Sequence, residues 1–153
     1  MKILLLSHGN LARELLAAAR TIAGELPDFE ALPLDWSQGS EEIRRHISET
    51  LAEIDDGSGV LILADVFGAT PCNAAMSFHD PGRVEVLGGV NLPMVVRLGC
   101  LAGKEFTLEE AARWLRDKGR SSIQASCDLQ PRRPTSASPC DEPPRERASE
   151  TVG

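Results

Sequence analysis

Positive charge is in short supply in this sequence. Its 16 lysines and arginines are outnumbered by 23 aspartates and glutamates, for a net charge of -7. Nucleic-acid binders usually present a basic face, so no nucleic-acid partner is expected. Long apolar runs are missing too: none reaches the roughly 18 residues that a membrane-spanning helix needs. The opening "MKILLLSHG" has one lysine and an apolar stretch too short for a signal peptide, and the pattern after it is amphipathic. It reads as a buried first strand, and a cytoplasmic protein is expected. Cys72, Cys100, Cys127 and Cys140 form no CxxC pair, which leaves a zinc site poorly supported. In a reducing compartment all four are expected as free thiols. No "GxSxG" and no Walker-type loop occurs, which speaks against a serine hydrolase and against ATP bound through a phosphate loop.

What remains is a chain of 153 residues, 42% hydrophobic and 25% charged, suited to one domain with a single core. "KILLL", residues 2 to 6, reads as a buried strand. Leu11, Leu15, Ala19, Ile22 and Leu26 then recur at helical spacing. "FEALPL" is a second strand, and its Pro33 points to a strand end or a sheet edge. Ser40 is placed to cap a helix whose buried face is Ile43, Ile47, Leu51 and Ile54. "VLILA", residues 60 to 64, is another buried strand and ends at Asp65. Thr70 followed by Pro71 signals a helix start, with the threonine as cap. "RVEVLGG" is a strand, and a helix opens near Asn91. Thr107 and Glu110 fit a capping box for a last helix closed by Gly119. "SSIQAS" reads as a final short strand. From residue 128 to residue 153 the sequence is rich in Pro, Ser, Arg and Glu, and such a segment is expected to stay disordered. The expected division is a domain over residues 1–127 and a tail over 128–153.

Strands alternating with helices predict an α/β fold, a mostly parallel, doubly wound open sheet with helices on both faces. Chemistry in such sheets sits at the carboxyl ends of the strands. Three polar clusters fall at such ends: Ser7-His8-Gly9, then Asp65 through Asn73, then Gly88-Gly89-Val90-Asn91. If the first and third strands are neighbours, His8 and Asp65 face each other. A carboxylate beside an imidazole fixes its tautomer and presents the other ring nitrogen outward, as nucleophile, base or metal ligand. His46 and His79 are not placed to reach His8, so no metal and no cofactor is expected. The small residues of "FGATP" ahead of a helix N-terminus would attract an anion. Singly, each signal is ordinary. Together they suggest a phosphoryl group carried on a histidine nitrogen.

"SHG" after the first strand, "ADVFGATPCNAA" after the third and "GGVNLPM" after the fourth resemble the enzyme IIA domain of the mannose/fructose branch of the bacterial sugar phosphotransferase system. The resemblance covers about residues 1 to 125. It implies that His8 accepts a phosphoryl group from phospho-HPr through Nε2 and passes it to a IIB partner, here on a separate chain. Asp65 matches the carboxylate that orients the imidazole through Nδ1. Gly68, Ala69 and Thr70 match the turn that holds the phosphoryl group. The family fold is commonly a homodimer exchanging a C-terminal antiparallel strand, which would be "SSIQAS". Contact with a membrane would be indirect, through a permease complex. An apolar rim of Phe67, Leu92 and Met94 would suit transient docking. Two departures stand out: Ala69 replaces a second glycine of the turn, and Ala64 replaces a threonine before Asp65. The rivals are a IIA-like phosphoryl donor to a dihydroxyacetone kinase, a histidine phosphatase, and a regulatory module whose His8 never turns over. A phosphatase would want an arginine next to the histidine, and His8 has Ser7 and Gly9.

Overall fold

Four parallel strands lie in the order β2-β1-β3-β4: β1 (Lys2–His8), β2 (Phe29–Leu34), β3 (Val60–Ala64) and β4 (Val84–Gly88). The computed structural model describes residues 1–35, 37–101 and 106–128. Among the described residues five helices cover the sheet: α1 (Leu11–Ala23), α2 (Ser40–Ile54), α3 (Thr70–Met76), α4 (Leu92–Gly99) and α5 (Leu108–Ser121). The central strands are apolar on both sides, as a parallel sheet between two helical layers requires. Ile3, Leu5, Leu61 and Leu63 pack with α1, α4 and α5. Leu4, Leu6, Val60 and Ile62 pack with α2 and α3. The α/β fold expected from the sequence is therefore observed, with all four strands parallel. Pro33 lies in β2, an outer strand of the sheet, where a missing N–H is tolerated. No helix among the described residues is long and apolar enough to cross a membrane.

Several local expectations shift. In α1 the buried residues are Ala12, Leu16 and Ala19, whereas Leu11 and Ile22 are exposed. Small residues let the helix lie close on the sheet and displace the bulky line to its flank. Ser40 is the first residue of α2, with Gly39 at the cap and no capping side chain. Thr70 likewise lies inside α3, with Ala69 at the cap. Gly119 does not close α5; it is buried within the helix against Met94, and Ser122 is the C-cap. "SSIQAS" forms no strand: Ser121 belongs to α5, residues 123 to 125 are irregular, and Ser126–Asp128 is a 3₁₀ turn. A strand exists only against a hydrogen-bonded partner, and within the described residues of one chain this segment pairs with none. Cys72 is a buried free thiol and Cys127 an exposed thiol, but Cys100 is disulfide-bonded. Cysteine spacing alone does not say which residues a fold brings together. Cys140 and the tail from residue 129 onward lie outside the described residues.

The capping box forms as read. Thr107 Oγ1 accepts from Glu110 N at 3.2 Å, and Glu110 Oε2 accepts from Thr107 N at 3.0 Å. Thr107→Ala removes that exchange and should lower stability by about 1 kcal/mol, read as a lower urea midpoint at unchanged slope.

Candidate functional site

The site is built by strand register. Leu6 of β1 pairs with Ala64 of β3, and Asp65 N donates to Leu6 O at 3.1 Å. The chain thus delivers Asp65 beside the last residues of β1. Strands β1 and β3 are direct neighbours although β2 lies between them in sequence, so their carboxyl ends form the switch point of the sheet, where ligands of such folds bind.

His8 ends β1, its side chain 17% exposed, and Asp65 follows β3, its side chain 7% exposed. Asp65 Oδ2 accepts from His8 N at 2.9 Å and lies 2.8 Å from His8 Nδ1. A carboxylate can only accept, so Nδ1 carries the ring proton and Nε2 carries the lone pair. Asp65 Oδ1 accepts from Val66 N at 2.7 Å. Burial pushes the Asp65 carboxyl up. The bonds from the His8 backbone, the His8 ring and the Val66 backbone outweigh it and hold the group below its ordinary value. The pair expected from the sequence is thus in contact.

The loop after Asp65 carries the remaining residues. Gly68 has φ +82°, a conformation that favours glycine. Ala69 has φ -74°, which any residue adopts, so the loss of a second glycine has no conformational cost there. Thr70 is exposed at the start of α3. Asn73 Nδ2 donates to Gly68 O at 2.8 Å and closes the turn from the helix side. That tie was not read from the sequence; the only signal was an asparagine five residues after a glycine. Phe67 is 74% exposed, and Leu92 is half-buried. Met94 does not join them: it is 2% exposed, in the core against Gly119. Its place in "NLPM" puts it on the inner side of α4, one turn from the cap.

His46 contacts Gln38 and Arg45 on α2, and His79 lies 3.6 Å from Glu85. Neither approaches His8. Among the described residues no three His, Cys, Asp or Glu side chains are gathered in a way that would hold a metal ion.

Residues 2–113 match the family described as PTS system fructose IIA component. The chain belongs to that family. Its mannose/fructose type is shared by the relatives it resembles. The PTS system fructose-specific EIIA component of Bacillus subtilis is 28% identical over 125 residues, 81% of this chain and 85% of that protein. The PTS system mannose-specific EIIAB component of Escherichia coli K12 is 29% identical over 120 residues, 78% of this chain. The chain spans only 37% of that relative's length. Among solved structures, the mannose/sorbose specific IIA subunit of the phosphotransferase system from Enterococcus faecalis superposes with a TM-score of 0.73 at 30% identity. That match covers 84% of this chain and 96% of the other. PTS component EIIA from Streptococcus agalactiae, at 21% identity and a TM-score of 0.74, shares the fold.

The Asp65 shift carries a pH prediction. A carboxyl depressed on folding contributes stability above its unfolded value and loses it as pH falls through its folded value. The Asp65 contribution should therefore be intact above the ordinary 3.8 and vanish in stronger acid. Asp65→Asn should lack that acid-side loss in urea unfolding followed as a function of pH, and an identical acid profile would contradict the pairing.

Proposed function

We propose that this IIA component is a phosphocarrier that takes a phosphoryl group from phospho-HPr onto His8 and passes it to a IIB partner. The observation that carries the reading is the His8 Nδ1 contact with Asp65 Oδ2 at 2.8 Å. With the ring proton on Nδ1, Nε2 is the nitrogen that carries the lone pair. That pair forms the new N–P bond while the donor's N–P bond breaks, and the bonding electrons return to the donor nitrogen. The ring keeps its Nδ1 proton, becomes cationic, and is stabilised by the Asp65 carboxylate. Onward transfer reverses the step with a new acceptor. Such a transfer depends on positioning and charge, and the turn of Gly68, Ala69 and Thr70 is the proposed seat of the phosphoryl oxygens. Phe67 and Leu92 form the proposed docking rim. A cytoplasmic homodimer is the proposed working form, with a membrane reached only through a permease complex. Among the described residues β4 is an outer strand, and exposed Ile123 lines the same hollow as Val86 and Leu87 of that strand, which suits pairing with a second copy.

The decisive experiment is labelling from phosphoenolpyruvate through enzyme I and HPr. Acid-labile, base-stable label should appear on the wild type and be abolished in His8→Ala. Asp65→Asn should slow transfer about ten- to a hundredfold, because the ring loses its fixed tautomer and its counter-charge. Label retained by His8→Ala would refute the assignment. Label that moves to ADP on a dihydroxyacetone kinase subunit and not to a IIB domain would favour the kinase-donor alternative. Label that moves to neither would favour a regulatory role. At the rim, Phe67→Ala should raise KM for phospho-HPr about five- to tenfold with kcat little changed.

A further inference from the structure

We infer that Ser7 is a positioning residue for His8, its buried hydroxyl holding the turn between β1 and α1 in the shape that keeps the imidazole on Asp65. Helix α1 begins without help from its own cap residue. Asn10 occupies the cap position but accepts no bond there; its Nδ2 donates to Glu14 Oε1 at 2.9 Å instead. The N–H of Ala12, two residues into the helix and buried, still needs an acceptor. Ser7 Oγ supplies it at 2.6 Å, reaching across from the strand. The hydroxyl also lies 3.5 Å from Gly9 O, to which it can donate.

Ser7 is 1% exposed and is the buried polar residue among the described residues. Ile3 and Leu5 face α1, and Ser7 continues that side of β1 by the period of two. A larger apolar residue there would extend the core but leave Ala12 N–H without a partner. The turn is then tied at three points: Ser7 to Ala12, Gly9 N to Leu34 O at 2.8 Å, and His8 N to Asp65 at 2.9 Å. His8 sits between the first two ties. Removing the Ser7 hydroxyl orphans a buried donor, and the turn must shift or admit water to satisfy it. Either response displaces the His8 backbone, and through it the ring.

The kinetic consequence rests on the phosphocarrier reading; the ring placement does not. The test therefore has two arms on the full chain. The first follows the His8 imidazole by nitrogen and proton NMR without any phosphoryl donor. The wild type should show one tautomer, with the proton on Nδ1 and in slow exchange. Ser7→Ala should show the Nε2–H tautomer as well, with faster Nδ1–H exchange. The second arm follows transfer from phospho-HPr, where Ser7→Ala should lower kcat about tenfold with KM unchanged, as expected for misplacement of a reacting group. Thr107→Ala, which removes a distant helix cap, should leave both readouts at wild-type values and so controls for lost stability. If Ser7→Ala does not fold, Gly9→Ala tests the same turn: its added Cβ meets nothing within 4 Å, so it acts only through the φ of +54°. Wild-type tautomer populations in the folded variant would overturn the inference. A wild type that accepts no phosphoryl group sinks the carrier reading alone, and the tautomer arm still decides the role of Ser7.

Discussion

The contact between His8 and Asp65 depends on the register of two buried strands. Neither residue is near the other in sequence, and no helix or turn brings them together. The pairing of Leu6 with Ala64 does. That register is held because β1 and β3 are apolar on both faces and packed between two helical layers. A slip of one residue would exchange the faces of every side chain and set Leu4 and Leu6 against the wrong layer. The hydrophobic core and the polar site are therefore one constraint. Burying the leucines of "LLL" in one register fixes where the strand ends, and the strand end is where the imidazole sits.

From that placement the electrostatics follow. Asp65 is mostly buried, which alone would favour its neutral form. Three N–H bonds reverse the balance, two of them from His8 itself. The same residue thus keeps its partner ionised with its backbone and is oriented by it through its ring. In the proposed reaction this arrangement is two-sided. The carboxylate stabilises the ring cation once phosphorus is attached, yet its charge lies near that of the phosphoryl group. A carrier benefits from such a compromise, since a group held too firmly would not move on.

The four strands of the sheet, the capping box and the polar residues of the His8–Asp65 pair were legible because each rests on a strong local pattern: continuous apolar runs, a Thr/Glu spacing of three, polar residues at strand ends. The misreadings share a cause. Along α1 the expected line of Leu11, Leu15, Ala19 and Ile22, continued by Leu26, is buried at Ala19 and Leu26 but exposed at Leu11 and Ile22, and Ala12 and Leu16 share the inner face with Ala19. Close approach to a sheet selects small residues, which no count of leucines shows. Gly119 looked like a stop but is a packing position under Met94, and that same contact takes Met94 away from the surface. "SSIQAS" has strand-like composition, but a strand exists only against a partner. Ser7 was legible only as a member of the polar cluster at the end of β1; only the fold shows that its hydroxyl accepts from Ala12 N in the first turn of α1.

The third polar cluster shows how a strand end can matter without chemistry of its own. Gly88 was grouped with the reactive loops because it ends a strand at the same edge. Its role in the fold is to be small. A Cβ there would stand 2.8 Å from the Cβ of Phe67 and 2.9 Å from its ring, so the loop after Asp65 rests in the space that glycine leaves. Val90 N donates to Ala64 O at 3.0 Å, tying the β4 end to the residue before Asp65. On the opposite side, Asn73 holds Gly68. The loop is thus braced by a missing side chain beneath, a backbone bond at its root and an amide at its far end. Phe67 can present most of its surface to solvent while its base stays fixed, and an exposed aromatic held in this way loses little conformational freedom when something docks against it.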